Sequence, residues 1–197
     1  MTSNHLSATI LSDGIDEVEN TAPSGDKMSI ASEAATSDVD LDSFPLAVKG
    51  HKFQDFAEGQ EFVHHWGRTL TDGDNALFTT AMCNWNPMHL NAEFARAHGH
   101  PDVVVNPMLV LCTVVGLSVE DLSETGGPFL GLDDVVFHAP VHPGDTLTAR
   151  STVVSAVPST SRPDDGIVTW RTEAHNQRRE VVVTYRRTNL VARRRED

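Results

Sequence analysis

The sequence predicts an α+β domain in which an antiparallel β-sheet curls around one buried helix. A long, almost wholly apolar helical run occupies residues 103–124. A single β-rich run precedes the helical region, and four consecutive β-rich runs follow Gly126-Gly127. An antiparallel sheet that covers one helix is the simplest way to bury the apolar surface of these parts in one domain.

The composition is that of a globular protein and argues against two functional classes. Its 197 residues suffice for one domain with a sizeable core. A formal net charge of −13 argues against a general nucleic-acid-binding protein, which needs a basic face. The longest apolar runs, such as 108–115, are too short to cross a bilayer, and the N-terminus lacks the pattern of a secretory signal. These features predict a cytoplasmic protein that does not act at a membrane.

Residues 1–44 are predicted to form a disordered acidic arm, and residues 45–197 are predicted to form the folded domain. The arm holds nine acidic residues against Lys27, and its one aromatic residue is Phe44. So little apolar surface cannot offset the entropy lost on folding. The arm acts either as a solubilising tail or as a partner-binding segment.

Local signals place the first strand and the first helices. Residues 61–71, EFVHHWGRTLT, read as one strand that ends where Thr71 can cap a helix. Asp74 then gives the helix a capping-box-like start. A second short helix, NAEFARAHG, is predicted to end at Gly99, because glycine readily adopts the left-handed conformation that follows a helix.

The apolar helix has a clear start signal. Asn106 is a good N-cap, and Pro107 is a good first helical residue because the first turn cannot use the donor that proline lacks. The residues that follow are apolar nearly all round, which predicts a helix buried on most faces. The four β-rich runs after it occupy residues 129–141, 145–157, 166–177 and 180–193, with turn-like segments between them.

Cysteine and histidine spacing indicates neither a disulfide framework nor a metal site. The two cysteines, Cys83 and Cys112, are predicted to be reduced thiols in the core. Histidines at positions 64, 65, 98, 100, 138 and 142 are scattered without a metal-binding spacing. We therefore expect no metal site.

The stretch Asn84-Trp85-Asn86-Pro87-Met88-His89 lies between two short helices and resembles a family motif. The helix LNAEFARAHG, the segment VVVNPML and the later FHAPVHPGDTLTARSTVVS follow it in the order and spacing of the same family. On these residues the chain resembles the MaoC-like, R-specific enoyl-CoA hydratases over roughly residues 50–192. The resemblance implies a hot-dog fold, in which an antiparallel sheet wraps around a long central helix.

The resemblance also implies a reaction. These enzymes add water reversibly, with syn geometry, across the double bond of a trans-2-enoyl thioester. The reaction needs a base for the water proton, an acid for Cα, and donors on the thioester oxygen. The histidine of the family motif maps onto His89, which we expect to be the general acid and base.

The chain departs from the family motif at its first position, where Asn84 replaces an aspartate. An amide cannot shuttle a proton, so two interpretations follow. In the first, Asn84 positions the water while His89 does the acid–base work, as in the similar mesaconyl-CoA and itaconyl-CoA hydratases with their Asn-x-Asn-Pro-x-His motif. In the second, Asn84 marks a lost or altered activity. Asp72 and Asp74 are substitute acids in principle, although helix capping explains both.

The resemblance implies a substrate-binding set around the apolar helix. The family often has His-Gly where this chain has Asn106-Pro107, so the donor to the thioester oxygen is expected from Met108, the Asn106 side chain or the helix dipole. Cys112 stands where the family often has a serine. Asn86 and Trp85 of the motif are further candidates, Asn86 as part of the turn that presents His89 and Trp85 either on the acyl pocket or in plain packing. A dicarboxylic acyl group would also need a cation, for which we nominate Arg68.

The prediction is thus a hydratase or dehydratase of acyl thioesters, with a branched or dicarboxylic acyl group such as mesaconyl among the candidate substrates. CoA or the phosphopantetheine of an acyl-carrier protein would be part of the substrate, and no metal or redox cofactor is expected. The family usually pairs two hot-dog units edge to edge, which implies a homodimer or larger homo-oligomer. A hot-dog thioesterase and a non-catalytic acyl-thioester-binding or scaffold subunit are the alternatives.

Overall fold

The computed structural model describes residues 50–194, in which six antiparallel strands and five α-helices follow the predicted order. The predicted arm, residues 1–44, lies outside the described residues. The sheet has the strand order β1-β4-β5-β6-β3, with β2 paired to β4 as well. The strands are β1 (Glu61–Val63), β2 (Arg68–Thr69), β3 (Phe129–Phe137), β4 (Thr146–Pro158), β5 (Asp165–His175) and β6 (Val181–Ala192). The four predicted consecutive strands are therefore confirmed as β3 to β6.

The prediction of a single strand over residues 61–71 is wrong, because this segment forms two separate strands, β1 and β2. Both pieces pair with β4, at Glu61↔Thr152 and at Arg68↔Leu147. Between these two pairs, the segment from β1 to β2 contains more residues than the facing part of β4. The β1–β2 segment must therefore bulge away from the sheet. Trp66 lies in this bulge, where its indole N–H donates to Glu120 at 2.8 Å.

The helices begin where the local signals place them. Thr71 caps α1 in a capping box with Asp74, and Asn106 caps α4 with Pro107 in its first turn. Gly99 has a φ of 88°, the left-handed conformation expected after the end of α3. The helices are α1 (Asp72–Ala81), α2 (Pro87–Leu90), α3 (Ala92–Ala97), α4 (Pro107–Leu117) and α5 (Val119–Leu122), and a 3₁₀ turn spans Phe53–Asp55.

Helix α4 is the central helix, but one side of it is open. Leu109, Val110, Leu111 and Val114 are buried in the main core against β4, β5 and β6. On the other side Met108 is 41% exposed, and Cys112 is exposed as well. The prediction that the helix is buried on most faces is therefore too broad. The prediction that Cys83 and Cys112 are core thiols is wrong, because both are exposed.

A row of polar side chains crosses the buried face of the sheet and separates the main core from a second apolar cluster around Trp170. Ser151 on β4 hydrogen-bonds to Thr172 on β5 at 2.8 Å. His64 joins Ser151 through Nε2 at 2.8 Å and Asp121 through Nδ1 at 2.6 Å. Because each hydroxyl and ring nitrogen has a partner, this row links the chain before α1 to the sheet without leaving these groups unpaired.

The turn before β4 is held by one buried carboxylate. Asp145 accepts the N–H of His142 through Oδ2, and the side chains of Gln177 and Arg178 donate to its Oδ1. Burial acts to raise the pKa of Asp145, but these three donors outweigh it and hold the pKa below the ordinary aspartate value. Gly144 has a φ of 91°, as the tight turn requires.

We expect Asp145→Asn to lower the free energy of unfolding at pH 7 by about 1–3 kcal/mol, because the introduced NH₂ group faces donors. A carboxyl group with a depressed folded-state pKa stabilises the protein above its unfolded pKa, and this contribution is lost as pH falls through the folded value. The gap between wild type and variant should therefore close on acidification from pH 5 towards pH 3.

Urea denaturation between pH 3 and pH 7 measures this effect. The matched control is Glu180→Gln, which removes an exposed partner of the same Arg178. We expect the control to cost less than about 1 kcal/mol, as for other surface ion pairs. If Asp145→Asn were no less stable than Glu180→Gln at pH 7, the role given to Asp145 would be contradicted. A loss of unfolding free energy that did not change with pH would contradict it as well.

Candidate active site

The motif that contains His89 is shaped by its own amides. Asn84 Oδ1 accepts the N–H of Asn86 at 3.2 Å, and Asn86 Oδ1 accepts the N–H of Met88 at 3.0 Å as the N-cap of α2. Pro87 occupies the first helical position. Cys83, just before the motif, has a φ of 52°. The two side-chain amides thus form the turn that begins α2 and presents His89 from its third residue.

His89 is held by a backbone carbonyl. Its side chain lies 2.8 Å from the Val104 carbonyl oxygen through Nδ1, and the residue is only 7% exposed. Because a carbonyl oxygen only accepts, Nδ1 must carry a proton and the neutral ring has its lone pair on Nε2. The N–H of Val104 in turn donates to the Met88 carbonyl at 3.0 Å. Hydrogen bonds therefore run in both directions between Val104 and the α2 segment that contains Met88 and His89. No side chain of residues 50–194 hydrogen-bonds Nε2, which leaves it free to act on a ligand.

His89 lines an apolar cavity of about 320 Å³ at the N-terminal end of α4. The lining consists of His89, Val104, Val105, Pro107, Val110, Phe137, His138, Ala139, Pro140 and Val141. Among residues 50–194, the titratable side chains of the lining are two histidines, and neither lysine nor arginine contributes to it. A site of this composition suits a small, mostly uncharged group placed against one imidazole.

Two of the predicted thioester donors are already bound within the protein. Asn106 is fully buried, its Oδ1 accepts the N–H of Met108 at 3.0 Å, and its Nδ2 donates to Thr79 at 3.3 Å. Neither the Asn106 side chain nor the Met108 N–H is therefore free for a substrate, which corrects the prediction for both residues. Within residues 50–194 the N–H of Leu109 in the same first turn has no backbone or side-chain acceptor.

Other predicted residues lie away from the cavity. Cys112 lines a separate groove of about 440 Å³ on the opposite side of α4, together with Arg68 and Trp66. Arg68 is ion-paired with Asp74 at 2.8 Å. Hydrogen bonds from Thr71 hold the pKa of Asp74 below its ordinary value, as capping requires. The predicted roles of Cys112 in substrate binding and of Arg68 as the acyl-binding cation are therefore not supported by their positions.

The remaining motif residues border α2 without lining the cavity. Trp85 is 71% exposed, so it is neither packed in the core nor on the cavity wall. Asn84 is partly buried, and no hydrogen bond joins it to the His89 ring among the described residues. Sequence reasoning missed Val104, which acts through its carbonyl oxygen. A backbone group leaves no mark on residue type, so no signal could have identified it.

Residues 50–194 contain neither a metal-binding constellation nor a spanning helix. No three histidine, cysteine, aspartate or glutamate side chains in this part of the chain are grouped as metal ligands would be. No helix in the same range is long and apolar enough to cross a membrane.

Known proteins with a similar sequence point to one family. A family model described as mesaconyl-CoA hydratase matches residues 31–197. A mesaconyl-CoA hydratase from Haloarcula marismortui is 44% identical over 164 residues, which make up 83% of this chain and 46% of the relative. The chain thus spans about half the length of the curated relatives it matches.

Solved structures share the fold. A MaoC-like dehydratase from Rhodospirillum rubrum has a TM-score of 0.67 and 28% identity, over 75% of this chain and 100% of that one. A conserved hypothetical protein from Mycobacterium tuberculosis with a double hot-dog fold has a TM-score of 0.70 and 24% identity, over 77% of this chain and 47% of that one. The predicted hot-dog fold is therefore confirmed.

The bond between His89 and Val104 makes a prediction for NMR spectroscopy. The neutral His89 ring should be the Nδ1–H tautomer, because the Val104 carbonyl oxygen accepts from Nδ1. Long-range ¹H–¹⁵N correlation spectra identify the tautomer, and the His89→Gln variant assigns the signal. A predominant Nε2–H tautomer would contradict the geometry described for the site.

Proposed function

Since the chain belongs to the mesaconyl-CoA hydratase family of MaoC-like hot-dog proteins, we propose that it catalyses the reversible addition of water across the α,β double bond of an acyl thioester. The observation that carries this proposal is the His89 ring, which lines an apolar cavity, is fixed through Nδ1 and has no partner at Nε2 among residues 50–194. A base with one nitrogen anchored and the other free is the arrangement that general acid–base catalysis requires.

In the proposed hydration the Nε2 lone pair of His89 removes a proton from water. The water oxygen forms a bond to Cβ, and the electron pair of the double bond moves to Cα and the thioester oxygen. The protonated ring then returns a proton to Cα, so atoms and charge balance and the enzyme is regenerated. Because one nitrogen on one face of the substrate performs both transfers, the addition is syn.

The negative charge that develops on the thioester oxygen needs a donor nearby. We place this oxygen at the N-terminal end of α4, where the positive end of the helix dipole is available. Pro107 and Val110 of the same helix belong to the cavity wall. Their apolar side chains exclude water, and a charge–dipole interaction is stronger in such surroundings than in bulk solvent.

Asn84 is proposed to position the attacking water. Its Oδ1 accepts the N–H of Asn86, which leaves the Nδ2 hydrogens for a water molecule beside α2. Trp85 and Asn86 of the motif are exposed, and we propose that they contact the pantetheine arm of the substrate outside the cavity. CoA and the phosphopantetheine of a carrier protein share this arm, so either serves as the handle.

The cavity favours a short acyl group. Its volume of about 320 Å³ and its eight apolar lining residues suit a four- or five-carbon chain better than a long one. A dicarboxylic acyl group such as mesaconyl would place its one free carboxylate where His138 is the remaining titratable side chain of the described lining. Crotonyl and mesaconyl thioesters therefore bracket the proposed substrate class.

We further propose a cytoplasmic enzyme that works as a pair of hot-dog units, formed by a second copy of the chain. Strand β3 is an edge of the sheet and exposes Phe129, Leu130, Val136 and Phe137. An exposed apolar edge strand of this kind is expected to pair with another strand or to be covered by another element. Phe137 also lines the cavity, so pairing at β3 would complete the site. A mass of one chain by light scattering, at the enzyme concentration used for turnover, would contradict the pairing.

We expect wild-type protein to hydrate at least one of crotonyl-, mesaconyl- and itaconyl-CoA, followed by loss of enoyl absorbance. His89→Ala should lower kcat by about a thousandfold or more, because it removes both proton transfers. The matched control is His98→Ala. His98 also donates from Nδ1 to a backbone carbonyl, that of Phe94 at 2.7 Å, but it is exposed and away from the cavity. Its kcat should stay within about twofold of wild type.

The Asn84→Asp variant separates the two readings of the motif. If Asn84 positions water, the variant should keep measurable activity with a changed pH profile, since a carboxylate also binds water. If wild type binds the thioesters without turnover and Asn84→Asp creates activity, the chain is a thioester-binding subunit and the hydratase proposal fails. The observation that favours this second function is the amide at the aspartate position.

Release of free CoA instead of hydration would identify a thioesterase.

A further inference from the structure

We infer that Asn75 is a positioning residue that fixes His89 relative to the N-terminus of α4. The inference rests on the proposed function, because it concerns the geometry between the base and the proposed thioester-binding helix end. Asn75 belongs to α1 and is 1% exposed, so it cannot touch the substrate itself. Its effect must pass through the two groups to which it is bonded.

The Asn75 carboxamide bridges two segments that carry different parts of the site. Its Nδ2 donates to the carbonyl oxygen of His89 at 2.8 Å. Its Oδ1 accepts the backbone N–H of Asn106, the N-cap of α4, at 2.9 Å. Both bonds are buried. One planar group therefore ties the backbone of the base to the residue from which α4 starts.

Thr79, one turn further along α1, closes the network. Its hydroxyl donates to Asn75 Oδ1 at 3.4 Å and accepts from Asn106 Nδ2 at 3.3 Å. Thr79 and Asn106 are both fully buried. The network needs a donor and an acceptor at the same side chain of residue 75. A carboxamide supplies both at neutral pH, whereas a carboxylate lacks the donor and a hydroxyl is too short to reach both partners.

The physical consequence concerns distance. His89 and the start of α4 belong to separate segments, and the proposed reaction requires Nε2 and the helix end to meet one acyl group from two directions. A misplacement of about 1 Å between such groups typically costs a hundredfold in rate. Loss of the Asn75 bridge should therefore lower kcat much more than it raises KM, because pantetheine contacts outside the cavity are unchanged.

Substitution by aspartate gives a test that a purely structural residue would not pass. A protonated carboxyl group has one O–H donor and one carbonyl acceptor, so it can replace the carboxamide, but a carboxylate cannot donate to the His89 carbonyl. Burial raises the pKa of such a carboxyl group. In Asn75→Asp we expect kcat to fall at least a hundredfold relative to wild type at pH 8, and the deficit to narrow at least fivefold by pH 5.5.

Asn75→Ala and Thr172→Val provide the controls. Asn75→Ala cannot regain the bridge on protonation, so its deficit in kcat should not change with pH. Thr172→Val removes a hydroxyl that is equally buried and hydrogen-bonded to Ser151, but it lies in the sheet and does not line the cavity. It should lower the melting temperature as Asn75→Ala does while its kcat stays within about threefold of wild type.

A pH-independent deficit in Asn75→Asp, equal to that of Asn75→Ala, would overturn the inference. So would a loss of kcat in Thr172→Val as large as that in Asn75→Ala. If wild type shows no turnover, the proposed function fails but the positioning role is still decided by the NMR signals of the His89 ring. A changed tautomer population or broadened His89 signals in Asn75→Ala, but not in Thr172→Val, would support the role. Unchanged signals in both variants would refute it.

Discussion

The hydrogen bond from His89 Nδ1 to the Val104 carbonyl oxygen is the interaction on which the site depends. A backbone oxygen is fixed by the fold and cannot take up a proton, so it imposes one tautomer on the neutral ring and keeps Nε2 unprotonated. The reciprocal bond from the Val104 N–H to Met88 locks the two segments together. Val104 and Val105 also line the cavity together with His89.

The side-chain amides around this site hold the backbone in place, and none of them can transfer a proton. Asn84 and Asn86 shape the start of α2, and Asn106 caps α4. The amides therefore hydrogen-bond to the backbone that holds His89, and the imidazole ring of His89 lies on an apolar cavity. This division explains how an amide at the first motif position is compatible with the proposed chemistry, since a single group that both removes and returns a proton needs no second titratable residue on the opposite face.

Sequence reasoning worked where the physics is local. The caps at Thr71 and Asn106 depend on a few neighbouring residues, and strands β3 to β6 follow from β-rich runs separated by turn-like segments, so these elements could be predicted. Three features depend on contacts between distant segments and could not. The break between β1 and β2 reflects pairing with β4, the exposure of Cys112 depends on which side of α4 the sheet covers, and the bridge by Asn75 joins residues far apart in the chain. The predicted binding role of Met108 failed because its N–H donates to the Asn106 side chain, which caps the helix.

The most direct test of the account is the stereochemistry of hydration in D₂O. Crotonyl-CoA is a suitable substrate, because addition of OD and D creates defined configurations at both reacting carbons. The product can be isolated, and the relative configuration of the new C–D and C–O bonds can be read from NMR coupling constants. We expect syn addition with one diastereomer, because in the proposed mechanism His89 Nε2 performs both proton transfers from one side. Anti addition would require a second acid on the opposite face of the cavity and would contradict it.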